Sequence, residues 1–182
     1  RQRQMCIRDR FIKYGGQAYE TGGGIFSGRM TVALVVAGEI ARQIHDFGIS
    51  SEIIFAKANT GSQIKILAEN IGPGLGQPFF DSVESVVSHI LFSVPSVKGI
   101  NFGNILETYK MSSVEALDEF YMEGEEVKTK HNHDGGVQGG ITNGMPLLIN
   151  VFLKPIPTVN IDVDTLDNDF KKTSIKVSGR HD

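Results

Sequence analysis

Cysteine is almost missing from this chain: Cys6 is the only one in 182 residues, which excludes an intramolecular disulfide framework and fits a reducing compartment. Long apolar runs are missing as well. None reaches the roughly 18 residues of a membrane span, and nothing in the 182 residues resembles a cleaved signal sequence. There is no basic excess either, since 18 Lys and Arg against 21 Asp and Glu leave a net charge of −3 and a pI near 6.0. That balance argues against a nucleic-acid surface and requires any anionic ligand to be met by local cations. No repeat and no linker divides the sequence, and 40% hydrophobic with 21% charged residues is an ordinary globular composition. One domain of typical size is the expectation.

What is present is glycine, concentrated where it carries information. From Asn132 to Pro146 the chain reads NHDGGVQGGITNGMP, with Gly135/Gly136 and Gly139/Gly140 followed by Asn143 and Gly144. Such spacing marks backbone at positive φ, or backbone lying too close to something for a Cβ. Leu147 to Leu153 then form an apolar run broken only by Asn150, short enough for a buried strand. Lys154-Pro155-Ile156-Pro157-Thr158 follows, in which two prolines fix φ and hold a cation and a hydroxyl in a stiff loop. Such a loop suits a phosphate.

Around this stretch the chain alternates helical and strand patterns. From Arg29 to Phe47, Met30, Ala33, Leu34, Ala37, Ile40, Ala41, Ile44 and Phe47 recur at helical spacing, with Ser27 as N-cap and Gly48 as the residue past the end. A glycine-rich turn opening a helix exposes backbone N–H groups, and Arg29 adds a full charge in the first turn. This outlines an anion site, although a glycine turn beside a solvated arginine reads the same way. Glu52 to Ala58 and Ser62 to Ile71 read as strands. A second helix follows, with Asp81 as N-cap and Glu84 in capping-box position, ended by Pro95. Ser93 to Gly99 reads as a loop, Ile100 and Phe102 as the start of a short strand, and Gly103 to Gly124 shows little pattern. Val159, Ile161 and Val163 alternate, 164–170 reads as an acidic turn, and Thr173 to Val177 as a last strand.

Two of the five histidines invite a metal reading. His131 and His133 are two apart and face one side of an extended backbone, with Asp134, His181 and Asp182 as further donors. His45 and His89 lie near helix C-termini and read as structural. The glycine-rich segment after Asp134 points instead to a flat or phosphorylated ligand approaching backbone.

Four ordered segments give this chain a resemblance: Gly22 to Arg29 (GGGIFSGR), Ser93 to Gly99 (SVPSVKG), Asn132 to Thr158, and Gly179-Arg180-His181-Asp182. Together they resemble chorismate synthase, over Phe11 to Asp182, corresponding to roughly the middle half of a full-length member. The resemblance implies an α+β fold, a β-α-β sandwich of antiparallel sheets covered by helices, usually a cytoplasmic homotetramer. It implies a lyase that converts 5-enolpyruvylshikimate 3-phosphate to chorismate and phosphate by anti 1,4-elimination in the shikimate pathway. Reduced FMN is the implied cofactor, with NADP as an associated nucleotide; the partner is a small phosphorylated substrate, without nucleic acid or membrane. Residues 1–10, RQRQMCIRDR, match nothing in the family and read as a non-native scar, with a short basic tail as the alternative, leaving 11–182 as one partial domain.

Carried over by position, Ser27, Pro95, Ser96, Gly139, Lys154, Pro155, Ile156, Pro157, Thr158 and Arg180 match flavin contacts, and Arg29 a substrate-binding arginine. Lys154 and Thr158 match the pair on the FMN phosphate. Asp182 matches the carboxylate that relays a proton through the flavin, with Arg180 beside it as the second catalytic residue; no metal is implied. Ile25 and Phe26 depart from the family's arginine and serine, and the neighbourhood of Leu117 from a more polar pattern. The segment before Gln63 lacks a glycine-rich element of the family. The family's catalytic histidines and several substrate arginines belong to an amino-terminal region outside these 182 residues, so the 182 residues alone are expected to be inactive. Two other function classes stay open: a non-catalytic flavin- or phosphate-binding module, and a metal-dependent hydrolase using His131 and His133.

Overall fold

A computed structural model describes residues 12–15, 27–155, 161–167 and 170–176. In chain order a 3-10 turn (Gly28–Thr31) leads to α1 (Val32–Ile44), β1 (Gly48–Ala56), β2 (Ser62–Glu69), α2 (Val83–Ser93), β3 (Val97–Phe102) and α3 (Ile105–Thr108). Then come β4 (Phe120–Glu123), β5 (Glu126–Thr129), β6 (Val137–Gln138), β7 (Ile141–Thr142), β8 (Leu147–Leu153), β9 (Asp162–Leu166) and β10 (Lys172–Lys176). They fall into two compact units, Ala33–Pro155 and the flanking Arg1–Val32 with Ile156–Asp182.

The larger unit is built on a four-stranded sheet of order β1-β2-β8-β3, and every pair in it is antiparallel. The period of two along β8 decides its faces. Leu147, Ile149 and Val151 are buried on the side where Val87 and Leu91 of α2 pack, together with Ile66, Ala68 and Val97 of the neighbouring strands. Leu148, Asn150 and Phe152 take the other side. There Asn150, the one polar residue of the run, is used: its amide oxygen accepts from Gln63 (3.3 Å), and its amide nitrogen donates to Asn101 (3.0 Å) and the Gly103 carbonyl (3.2 Å). A polar rung therefore crosses three strands. Helices beside purely antiparallel sheets make this an α+β fold, as expected.

Several boundaries differ from the sequence reading, for local reasons. The first helix starts as a tight 3-10 turn, in which Met30 N–H reaches the Ser27 carbonyl at 3.0 Å and Thr31 Oγ1 bonds the Gly28 carbonyl at 2.7 Å. Gly48 does not cap that helix; it pairs with Glu69 and opens β1. Asp81 cannot cap α2, because its backbone is already paired with Gln77 (2.8 and 3.0 Å), so Ser82 takes the role and accepts from Ser85 N–H at 3.2 Å. Val97 belongs to β3 through its pairing with Leu153, and the patternless 103–124 contains α3 and β4. β9 extends to Leu166, which takes 164–166 out of the expected acidic turn, and β10 occupies Lys172–Lys176. Val159 lies outside the described residues.

The apolar stripe of α1 forms as read, yet α1 buries none of its residues: Val36 and Ile40 are each 55% exposed. On β1, Ile49 and Ile53 share the α2 side of the sheet but lie beyond the reach of α2, at 56% and 67% exposure. Among the described residues, no helix is long and apolar enough to cross a membrane.

Candidate functional site

The strand pairing Val97 to Leu153 brings two of the sequence-predicted segments to one place. Lys154 N–H donates to the Ser96 carbonyl at 2.9 Å, so the turn after α2, with Pro95 and Ser96, abuts the segment leaving β8, with Lys154 and Pro155. Ser96 takes φ +76°, a conformation that turns the chain sharply into β3. Gly61 packs under this junction; a Cβ there would stand 2.5 Å from the Leu153 carbonyl oxygen. Pro95, Lys154 and Pro155 are exposed. A cation and a hydroxyl-bearing turn thus share one corner of the sheet, the chemistry that an anion needs.

Gly139 sits at the opposite end. β6 and β7 form a two-stranded ribbon, with Val137 opposite Thr142, and Gly139-Gly140 is its turn. The Gly140 carbonyl accepts from Val83 N–H at 3.0 Å, which ties the turn to the start of α2. Along β8 the two ends are about 20 Å apart, from the steps of roughly 3.3 Å that separate Leu147 from Leu153. Gly139 has φ +61° and open space where a Cβ would stand. A flat group can lie against that backbone without meeting a side chain. A ligand with a phosphate and a planar ring fits this donor set in chemical type.

Ser27 and Arg29 belong to the smaller unit. Ser27 precedes the 3-10 turn and its hydroxyl accepts from Arg29 N–H at 3.3 Å, the cap read from the sequence. Ile156, Pro157, Thr158, Arg180 and Asp182 lie outside the described residues, as do Ile25, Phe26 and His181.

His131 and His133 do lie on one side, with rings stacked at 4.9 Å and 23°. Among the described residues, however, no group of three or more His, Cys, Asp or Glu is placed to hold a metal ion. The backbone of this segment is held by a residue that the sequence pattern does not single out from its neighbours Glu115 and Glu119. Asp118, 6% exposed, accepts His133 N–H on one carboxylate oxygen and Asp134 N–H on the other, both at 3.0 Å. Beside it, the Glu119 carboxyl is held below the usual carboxylate range by its hydrogen bond from Lys130.

Comparison with known proteins adds a family. The chorismate synthase family model matches residues 51–182. The chorismate synthase of Chitinophaga pinensis is 40% identical over 189 residues, which cover 93% of this chain and 56% of that protein. That of Dehalococcoides mccartyi is 32% identical over 219 residues, covering 94% and 60%. A crystal structure of chorismate synthase superposes with a TM-score of 0.74 at 20% identity, over 85% of this chain and 64% of the other. The chain thus spans a little over half the length of these curated relatives.

Proposed function

The chain belongs to the chorismate synthase family, and from that premise we propose that it is part of an FMN-dependent lyase releasing phosphate from 5-enolpyruvylshikimate 3-phosphate to give chorismate. The observation that carries the reading is the Ser96–Lys154 junction, which places an exposed cation beside a hydroxyl-bearing turn at one sheet corner. In this reading Lys154 and Thr158 hold the FMN phosphate, and Pro155, Ile156 and Pro157 keep their loop stiff. Ser27, Pro95 and Ser96 make further flavin contacts, the backbone at Gly139 lies against the ring or ribityl chain, and Arg29 binds substrate. FMN bound in its reduced form would supply electron density as phosphate departs and take it back, which a non-acidic C–H bond requires, so that no net redox change results. The chain's own task is to hold two phosphates, a ring and a carboxylate away from water. Asp182 accepts the proton and Arg180 keeps it ionised or holds a phosphate.

The assembled enzyme is a cytoplasmic homotetramer in this reading, with NADP as an associated nucleotide. The test is a protein completed at both ends from its own reading frame, given reduced FMN and substrate under anaerobic conditions. Chorismate and phosphate should appear in equal amounts. Tight flavin binding without product would favour a non-catalytic flavin-binding module instead.

A further inference from the structure

We propose that Asp118 is a positioning residue of the candidate flavin site: its buried carboxylate sets the glycine-rich ribbon whose turn carries Gly139. This rests on the reading that Gly139 borders the flavin. Both oxygens of Asp118 are engaged by consecutive backbone N–H groups, His133 and Asp134 at 3.0 Å each, so the carboxylate fixes the orientation of that peptide. From Asp134 the bonding continues outward. Asp134 Oδ2 accepts from Gln138 Nε2 at 3.2 Å, Gln138 Oε1 accepts from Asn143 Nδ2 at 3.3 Å, and Asn143 Oδ1 accepts from Met145 N–H at 3.0 Å. Gln138 is the residue immediately before Gly139. The bonds thus run from a buried charge to the base of the turn, and Asn143 N–H closes the ribbon on the Gly136 carbonyl at 3.1 Å. Such connected bonds orient one another, so loss of the first acceptor reaches the last.

The backbone acceptors of the segment are already engaged: the Asn132 carbonyl takes Gly135 N–H, the His133 carbonyl takes Asn104 N–H and the Gly135 carbonyl takes Leu148 N–H. Asn at 118 keeps the shape, but it offers one oxygen and sets an N–H₂ against one of the two donors.

The experiment uses the protein completed from its own reading frame, in three forms: wild type, Asp118→Asn, and Val151→Ala as a core-packing control on the α2 side of the sheet. FMN affinity, the visible circular dichroism of bound flavin and amide exchange at 133–134 are read well below each melting temperature. Asp118→Asn should weaken FMN binding about tenfold or more, the scale of one charge-assisted hydrogen bond, and alter the flavin dichroism, with faster exchange at 133–134. Val151→Ala should lower the melting temperature and leave the flavin signals in place. Wild-type affinity and dichroism in Asp118→Asn, or equal flavin changes in both variants, overturn the proposal while the flavin reading stands. No FMN binding by wild type overturns the flavin reading and this inference with it.

Discussion

Gly103 and His133 touch through backbone alone: a Cβ on Gly103 would stand 1.8 Å from the His133 carbonyl oxygen and 2.6 Å from Gly135 N. That closeness joins the end of β3 to the glycine-rich segment, since Asn104 N–H bonds the same His133 carbonyl at 2.9 Å and Gly103 N–H bonds Leu148 at 2.8 Å. Gly103 also has φ +62°. Gly103→Ala therefore meets strain and a backbone clash that no side chain can relieve, and should cost about 3 kcal/mol or more in denaturant unfolding. Gly139→Ala has open space and only the φ penalty, about 1–2 kcal/mol. Equal losses in the two would show that the close approach at Gly103 contributes nothing.

How much of this was legible follows from the kind of signal each residue leaves. β8 was readable at its observed limits because an apolar run between a Pro and a Lys-Pro has few other uses. Its interrupting Asn150 was visible but not its reason, because Gln63 and Asn101 reach it only through pairing across the sheet. The β4–β5 hairpin was missed: Phe120, Tyr121 and Met122 follow one another without alternation. Asp118 was missed for a different cause. Its role depends on the backbone of residues 15 and 16 positions away, which no local period records.

The hairpin's charges predict a pH response. Glu119 is held low chiefly by its hydrogen bond from Lys130, so this contribution is full above about pH 4.5 and fades as pH falls through the folded value. Lys128 is raised by Glu123 first and Glu126 second, so its share is full below about pH 10.5 and fades as pH rises beyond it. Lys130→Met should move the Glu119 titration, followed by NMR, up toward the ordinary carboxylate range. An unchanged titration would remove the pair from the account.

The uncovered faces of α1 and β1 make a prediction for the 182 residues alone. Ile40 and Ile44 of α1 are 55% and 71% exposed, and Ile53 of the edge strand β1 is 67% exposed. Contiguous apolar surface and an open strand edge drive association. Sedimentation should show oligomers that Ile40→Glu with Ile53→Lys shifts toward monomer. A monodisperse wild-type monomer with a cooperative melt would show these faces to be harmless.

Asp182 carries the proton step in the proposed function. In the completed enzyme, Asp182→Asn keeps the shape and loses the basic carboxylate, so turnover should fall by roughly 10²- to 10⁴-fold with FMN affinity nearly unchanged. Near wild-type turnover in this variant would assign the proton to another group.

In the proposed function, replacing Lys154 distinguishes the flavin's phosphate from its ring. Its backbone is fixed by the 2.9 Å bond to Ser96, so replacing the side chain should leave the sheet corner in place and remove only a cation. A charge-assisted hydrogen bond to phosphate contributes about 1.5–3 kcal/mol, and Lys154→Ala should weaken FMN binding by that amount, roughly 10- to 150-fold. Riboflavin has the same ring and no phosphate, so its affinity should hardly change. Because Pro155 follows directly, a perturbed loop would disturb both flavins alike, and the ratio of the two affinities isolates the charge from the loop. Equal losses for FMN and riboflavin would place the phosphate elsewhere.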